Sequence, residues 1–180
     1  PGHIDLDISQ IGCDYYTGAC HKWMCAPKGS SFLYVAKNFQ KGMSPQIMSW
    51  GEQGDDPGPS QFLMDFQWQG TKDMSAFLAI PSAIRFLQKN KWREKSVSSK
   101  NLISYLAGRL KDILGTESLF KNKNWVGQMI SYPLPMDSPV NLKDMLWDDF
   151  KIEVPIFEWK KRNFIRVSAH FYNDQEDICL

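Results

Sequence analysis

No stretch of this chain approaches the roughly 20 consecutive apolar residues that a membrane-spanning helix needs. No basic segment followed by an apolar one opens it in the manner of a secretory signal either. A protein outside the membrane is therefore expected, with the cytoplasm as its compartment. Charge of one sign is missing too: 21 Lys plus Arg face 20 Asp plus Glu, a net of +1, and the signs are interspersed. Without a basic stripe there is no phosphate-neutralising surface, so nucleic acid is not an expected partner. Cysteine is scarce, and Cys13, Cys20, Cys25 and Cys179 are too unevenly placed for the disulfide framework of a small secreted domain. Cys20, His21 and Cys25 are the one grouping of metal-ligating types, but paired C-x-x-C knuckles are lacking and no metal site is expected. Repeats and low-complexity tracts are absent. The initiator Met is lacking as well: Pro1-Gly2-His3 is how a fragment or processed product begins, so further residues upstream are expected.

What is present is ample material for a core. Of 180 residues, 43% are hydrophobic and 13% aromatic, enough for one domain or two small ones. Residues 11–16 and 31–36 read as two short buried strands joined by an elaborate turn rich in Gly, Pro and Ser. From Lys41 to Pro59, Gly and Pro with the pair Asp55-Asp56 read as a long surface loop. Ser75 is placed to cap a helix to about Lys89, with Phe77, Ile80, Ile84 and Leu87 inward and a fresh start near Ile80 imposed by Pro81. A second helix is expected from Ser99 to Leu114, with Leu102, Leu106, Leu110 and Ile113 inward and Gly115 ending it. Beyond Phe120 the pattern becomes α+β: a strand over 128–132, a helix capped by Asn141 through Phe150, and a hairpin of 152–159 with 163–169. Lys160, Lys161 and Arg162 fall at its tip, and Asn173 is placed to cap a last helix.

The chemistry is expected in the turn between the first two strands. Lys22 stands in DYYTGACHKWMCAPKGSSFLYV, flanked by Tyr16, His21 and Trp23. Kept dry there, its amine would be neutral and nucleophilic. Taken alone, a lysine beside aromatics is ordinarily a solvated cation.

Three segments change that reading. Asp14-Tyr15-Tyr16, His21-Lys22-Trp23, Ala26-Pro27-Lys28-Gly29-Ser30 and Phe32-Leu33-Tyr34-Val35 together resemble the cofactor-lysine segment of the class V aminotransferase family of pyridoxal-phosphate enzymes, in its isopenicillin N epimerase-like branch. Gly70-Thr71-Lys72-Asp73 followed by Ser75-Ala76-Phe77-Leu78-Ala79-Ile80-Pro81 is similar to that family's G-T-[RK]-D segment opening a helix. Ile152-Glu153-Val154-Pro155, Phe164-Ile165-Arg166-Val167-Ser168, Tyr172-Asn173 and Asp177 look like its C-terminal domain.

The resemblance implies an α/β fold: the C-terminal part of the large domain of a fold type I enzyme over residues 1–120, and a small α+β domain over 121–180. It implies pyridoxal 5'-phosphate as cofactor, with Lys22 as the Schiff-base lysine that moves protons at the substrate Cα. It places His21 near the cofactor phosphate, and sends the Gly70 backbone and Thr71 to the phosphate of a neighbouring subunit's cofactor, hence a homodimer with shared sites. It gives Arg166 the carboxylate of a small amino-acid-like substrate. Ala19 departs from the Ser that some relatives carry. The family's pyridine-binding Asp, ring-stacking aromatic and main phosphate turn would lie before Pro1, so the chain by itself is not expected to be a competent catalyst. Desulfuration is disfavoured, because no cysteine lies between Ile152 and Arg166. Epimerisation and transamination use the same lysine and both stay open. The competing expectation is a non-catalytic remnant that serves for dimerisation or interaction.

Overall fold

A computed structural model of the chain describes residues 1–54, 58 and 60–179, so the Asp55-Asp56 pair lies outside the described residues. The elements in order are α1 (Ile8–Ile11), β1 (Tyr15–Ala19), β2 (Ser31–Val35), α2 (Lys37–Gln40), α3 (Trp50–Gln53), α4 (Gln61–Gln67), α5 (Ser75–Leu78), α6 (Ile80–Lys89), α7 (Trp92–Leu114), β3 (Met129–Pro133), α8 (Leu142–Phe150), β4 (Ile156–Trp159), β5 (Arg162–Ser168) and α9 (Glu176–Cys179). They form two compact units, Pro1–Gln88 and Lys89–Leu180.

In the first unit, β1 and β2 pair antiparallel in the register Tyr15↔Val35 to Ala19↔Ser31. The first strand starts at Tyr15 and not at residue 11. Asp7 caps the short α1 by accepting from the Ser9 N–H at 2.9 Å, and Gly12, at φ 65, ends that turn in the left-handed region. The strands are not the buried pair that their composition implies, since Tyr15, Leu33 and Tyr34 are all exposed. Their cover within the unit is partial: Val35 is buried, and Cys20, Ala26 and Ala83 form a small core with Met24, Phe32 and Ile80 against it. Pro81 does impose a new helix, α6 beginning at Ile80 after α5 stops at Leu78. Its inward stripe is Ile80, Ala83 and Leu87, whereas Ile84 faces out. Ser75 is not the cap; Asp73 accepts from both the N–H and the hydroxyl of Ser75 and does that work. The long loop holds one helical turn of its own, α3, packed on α4 so closely that a Cβ on Gly51 would collide with the Met64 carbonyl.

In the second unit β5 is the central strand of a sheet ordered β3-β5-β4. One face, with Ile130, Tyr132 and Ile165, packs on Ile103, Leu102, Ala107 and Leu110 of α7. The Tyr132 hydroxyl donates to the Ala107 carbonyl at 2.8 Å and ties sheet to helix. This helix begins already at Trp92, and the sequence hides that start because the first turns are polar and carry no apolar period. Ser99 is inside it, its hydroxyl donating back to the Lys95 carbonyl at 3.1 Å. Gly115 ends it at φ 61, as expected, but Ile113 points outward and Ile103 takes the buried place. The α8 helix follows Asn141 without a side-chain cap, and Asp174, not Asn173, accepts from the first N–H groups of α9. The expected hairpin is present, with Trp159 paired to Arg162 across Lys160 and Lys161.

Candidate cofactor site

The segment between β1 and β2 is a pinned loop. At its base the Cys20 N–H donates to the Ser30 carbonyl at 3.0 Å, and the Ala26 N–H donates back to the Cys20 carbonyl at 3.0 Å. Ser30 is fully buried, and its hydroxyl donates to the Pro27 carbonyl at 2.8 Å. Cys20 is buried as well, and that burial pushes its thiol pKa up, which makes it a packing residue rather than a nucleophile.

Within this frame, residues 22–25 make a tight turn: the Cys25 N–H donates to the Lys22 carbonyl at 3.1 Å, with Cys25 at φ 58. The His21 Nδ1–H donates to the Ser30 carbonyl at 3.1 Å, which fixes that proton's place on the ring and leaves Nε2 open to a second partner. Lys22 therefore has a restrained backbone and an amine with no partner among the described residues. That amine is exposed, so the dry environment expected for it is not supplied by this chain.

Gly70 and Thr71 follow α4 in an exposed segment where Gly70 adopts φ 88. Their peptide N–H groups and the Thr71 hydroxyl have no hydrogen-bond partner among the described residues. Three free donors in adjacent residues suit an anion. Lys72 is turned aside, its ammonium donating to Gln69 at 2.9 Å and lying 5.1 Å from the Phe77 ring centroid. It lines a cavity of about 570 Å³ with Phe32, Phe62, Phe66 and Phe77. Lys22, His21 and Thr71 do not line that cavity.

Arg166 belongs to the second unit. It lies on β5 opposite Ser131, on the sheet face away from α7, with its guanidinium carbon 5.9 Å from the Phe157 ring centroid. Half-buried against that ring, it has no carboxylate partner among the described residues. Also among the described residues, no cluster of three or more metal-ligating side chains occurs, and no helix is long and apolar enough to cross a membrane.

The donor set fits pyridoxal 5'-phosphate: an unpartnered amine on a restrained turn, an imidazole beside it with one nitrogen open, and free N–H and hydroxyl donors for a phosphate. Sequence reasoning missed Gly2 and His3, which pack on Trp23 beside the lysine. No sequence period joins residues so far apart, and the one available signal was the Pro-Gly pair itself.

Comparison with known proteins points to the same cofactor. The chain is 33% identical to isopenicillin N epimerase of Amycolatopsis lactamdurans over 99% of its own length and 48% of that protein. It is 27% identical to a probable chloroplastic L-cysteine desulfhydrase of Arabidopsis thaliana, over 98% of this chain and 40% of that one. The chain thus spans about half the length of the curated relatives it matches, and in the epimerases the match is to the C-terminal half. Among solved structures, the apo cysteine desulfurase of Thermococcus onnurineus superposes with a TM-score of 0.79 at 21% identity, over 98% of this chain and 47% of that one. That likeness shows the fold: the C-terminal half of a fold type I enzyme. All 180 residues match the profile of Aminotransferase class-V, and the chain belongs to the class V aminotransferase family, whose cofactor is pyridoxal 5'-phosphate.

Proposed function

We propose that this chain supplies the lysine-bearing half of an enzyme that moves a proton at the Cα of an amino acid or peptide-like amine, of epimerase or aminotransferase type. The observation that carries the reading is the Lys22 amine, unpartnered on a turn whose backbone is pinned on both sides. The identity to isopenicillin N epimerases, 33% and 31%, supports the epimerase type.

When bound, the cofactor supplies an electron sink that makes a Cα hydrogen removable as a proton. Lys22 would hold the cofactor and then take and return that proton, which calls for a neutral amine. His21 and, from a second subunit, Gly70 and Thr71 would hold the phosphate. Arg166 would grip the substrate carboxylate with its planar fork, its guanidinium carbon 5.9 Å from the Phe157 ring centroid. Because Lys22 is exposed in this chain, the surface that dries it would come from the part of the family fold that the chain does not span. The division of that fold at residues 120–121 is part of the same proposal.

Borohydride reduction of the cofactor-loaded protein, followed by peptide mapping, is expected to place the pyridoxyl group on Lys22. Lys22→Ala is expected to abolish both label and turnover, and a label on another lysine would reject the assignment. The second reading, a non-catalytic dimerisation or interaction module, rests on the exposure of Lys22 in this chain. Loss of all visible absorption on desalting would support it.

A further inference from the structure

Lys22 is held from its N-terminal side by the Ser30 carbonyl, which receives the Cys20 N–H and the His21 Nδ1–H. Its C-terminal side is held by residues far away in sequence. Gly2 adopts φ 77, and a Cβ built on it would stand 2.5 Å from the Trp23 carbonyl oxygen and 2.9 Å from the Met24 nitrogen. Real Cβ atoms do not approach backbone so closely, so the Trp23–Met24 peptide packs directly on Gly2 and would be displaced by any other residue. The His3 imidazole then stacks on the Trp23 indole, with centroids 4.2 Å apart and planes 29° from parallel. Pro1 reaches β1: its Cγ is 2.9 Å from where a Cβ on Gly18 would sit. Residues 1–3 thus touch both the strand that leads into the lysine turn and the peptide that leaves it.

We infer that Gly2 and His3 are positioning residues for Lys22, setting the place of its Cα through the Trp23–Met24 peptide and the Trp23 ring. This rests on the proposed role of Lys22. The amine sits on a flexible four-carbon stem, so a fixed Cα is what limits the volume it explores. A displacement of about 1 Å at a reacting group can cost on the order of a hundredfold in rate, so such a clamp matters to an amine that must hold a cofactor and then reach Cα. Shape at Gly2 and ring contact at His3 do the holding on this side.

Three single variants, Gly2→Ala, His3→Ala and His3→Phe, made in the full chain, test it. The first readout is hydrogen exchange at the Cys25 amide, whose bond to the Lys22 carbonyl closes the turn. The second is pyridoxal 5'-phosphate affinity from visible absorption. Gly2→Ala and His3→Ala are expected to speed Cys25 exchange roughly tenfold while the β1–β2 amides keep their protection. Cofactor binding should weaken by about the same factor, and His3→Phe, which retains a stacking ring, should restore both. Unchanged Cys25 exchange in the first two variants would overturn the inference. So would an equal rise across β1 and β2, which marks general loosening, or failure of His3→Phe to rescue. A pyridoxyl label found away from Lys22 would remove the functional reading while leaving the exchange pattern in place, so the two failures are told apart.

Discussion

At the scale of single residues, most of the proposed site is made of groups without a partner among the described residues. Arg166 is the clearest: a half-buried guanidinium over Phe157, with no carboxylate partner among the described residues. Arg166→Ala is expected to raise KM for a carboxylate substrate by roughly ten- to a hundredfold with a smaller change in kcat, the sign of lost ground-state binding. Arg166→Lys should restore little, because an ammonium offers neither the fork nor the stack. Steady-state kinetics on the loaded enzyme decide it, and a fall in kcat at constant KM would contradict the assignment. Asp73 yields a pH prediction. The Ser75 hydroxyl and then the Ser75 N–H hold its carboxyl below the usual 3.8. A folded-state value lower than the unfolded one gives stability that is present above the ordinary carboxyl range and is lost as pH falls through the lowered value. The amides of Ser75–Leu78 should therefore lose protection on acidification below pH about 4 in the native chain, and lack that acid-dependent step in Asp73→Ala. Proton NMR of those amides against pH is the measurement. Lys22 and Arg166 were singled out in the sequence because the family resemblance names them. The clamp of Gly2 and His3 was not, since contact between the chain start and residue 23 leaves no trace in local pattern.

Elements were legible where one local rule decides the outcome and illegible where several compete. Pro81 and Gly115 set helix boundaries by geometry alone, and both boundaries are where those residues require. Ser75 and Asn173 failed as caps because Asp73 and Asp174, close before each helix, offer a charged acceptor to the same N–H groups. The inward stripes shifted because the partner surface selects among apolar residues: Ala83 fits against Cys20 and Ala26 where Ile84 would not. The β4–β5 hairpin carries the prediction at this scale. Its two-residue turn puts Lys160 at φ 49 and Lys161 at φ 60, a left-handed pair that Asn-Gly adopts with least strain. Relief of strain is worth about 1–2 kcal/mol where glycine replaces Lys161 and less where asparagine replaces Lys160. The lysine ammonium 4.7 Å above the Trp159 ring, lost on substitution, is worth about 0.5–1 kcal/mol in so exposed a place. The double variant Lys160→Asn, Lys161→Gly should thus gain about 1 kcal/mol, read as a higher urea midpoint at unchanged slope. A lower midpoint would mean that the cation–ring contact outweighs the turn.

For the whole molecule the governing fact is how much apolar surface stays outside. Ile47, Met48, Trp50 and Trp68 are exposed in the first unit, and Trp125, Trp147 and Phe150 in the second. Single exposed apolar residues are ordinary, but Met48 and Trp50 share a depression with Gly70, the residue proposed to reach a neighbouring subunit. The Ser49 hydroxyl donates to the Trp68 carbonyl, which ties the loop bearing Trp50 to the segment that leads into Gly70. An apolar rim beside free anion donors suits a surface that a second polypeptide covers. Trp50→Glu should therefore weaken self-association of the protein, shifting its sedimentation profile toward the monomer at micromolar concentration. The variant places a charge on a side chain that is 76% exposed in the single chain, so the fold has no reason to fail, and far-ultraviolet circular dichroism should not change. If the sedimentation profile of Trp50→Glu matches that of the parent protein, the covered surface lies elsewhere, and Gly70 and Thr71 lose their reason to reach a second subunit.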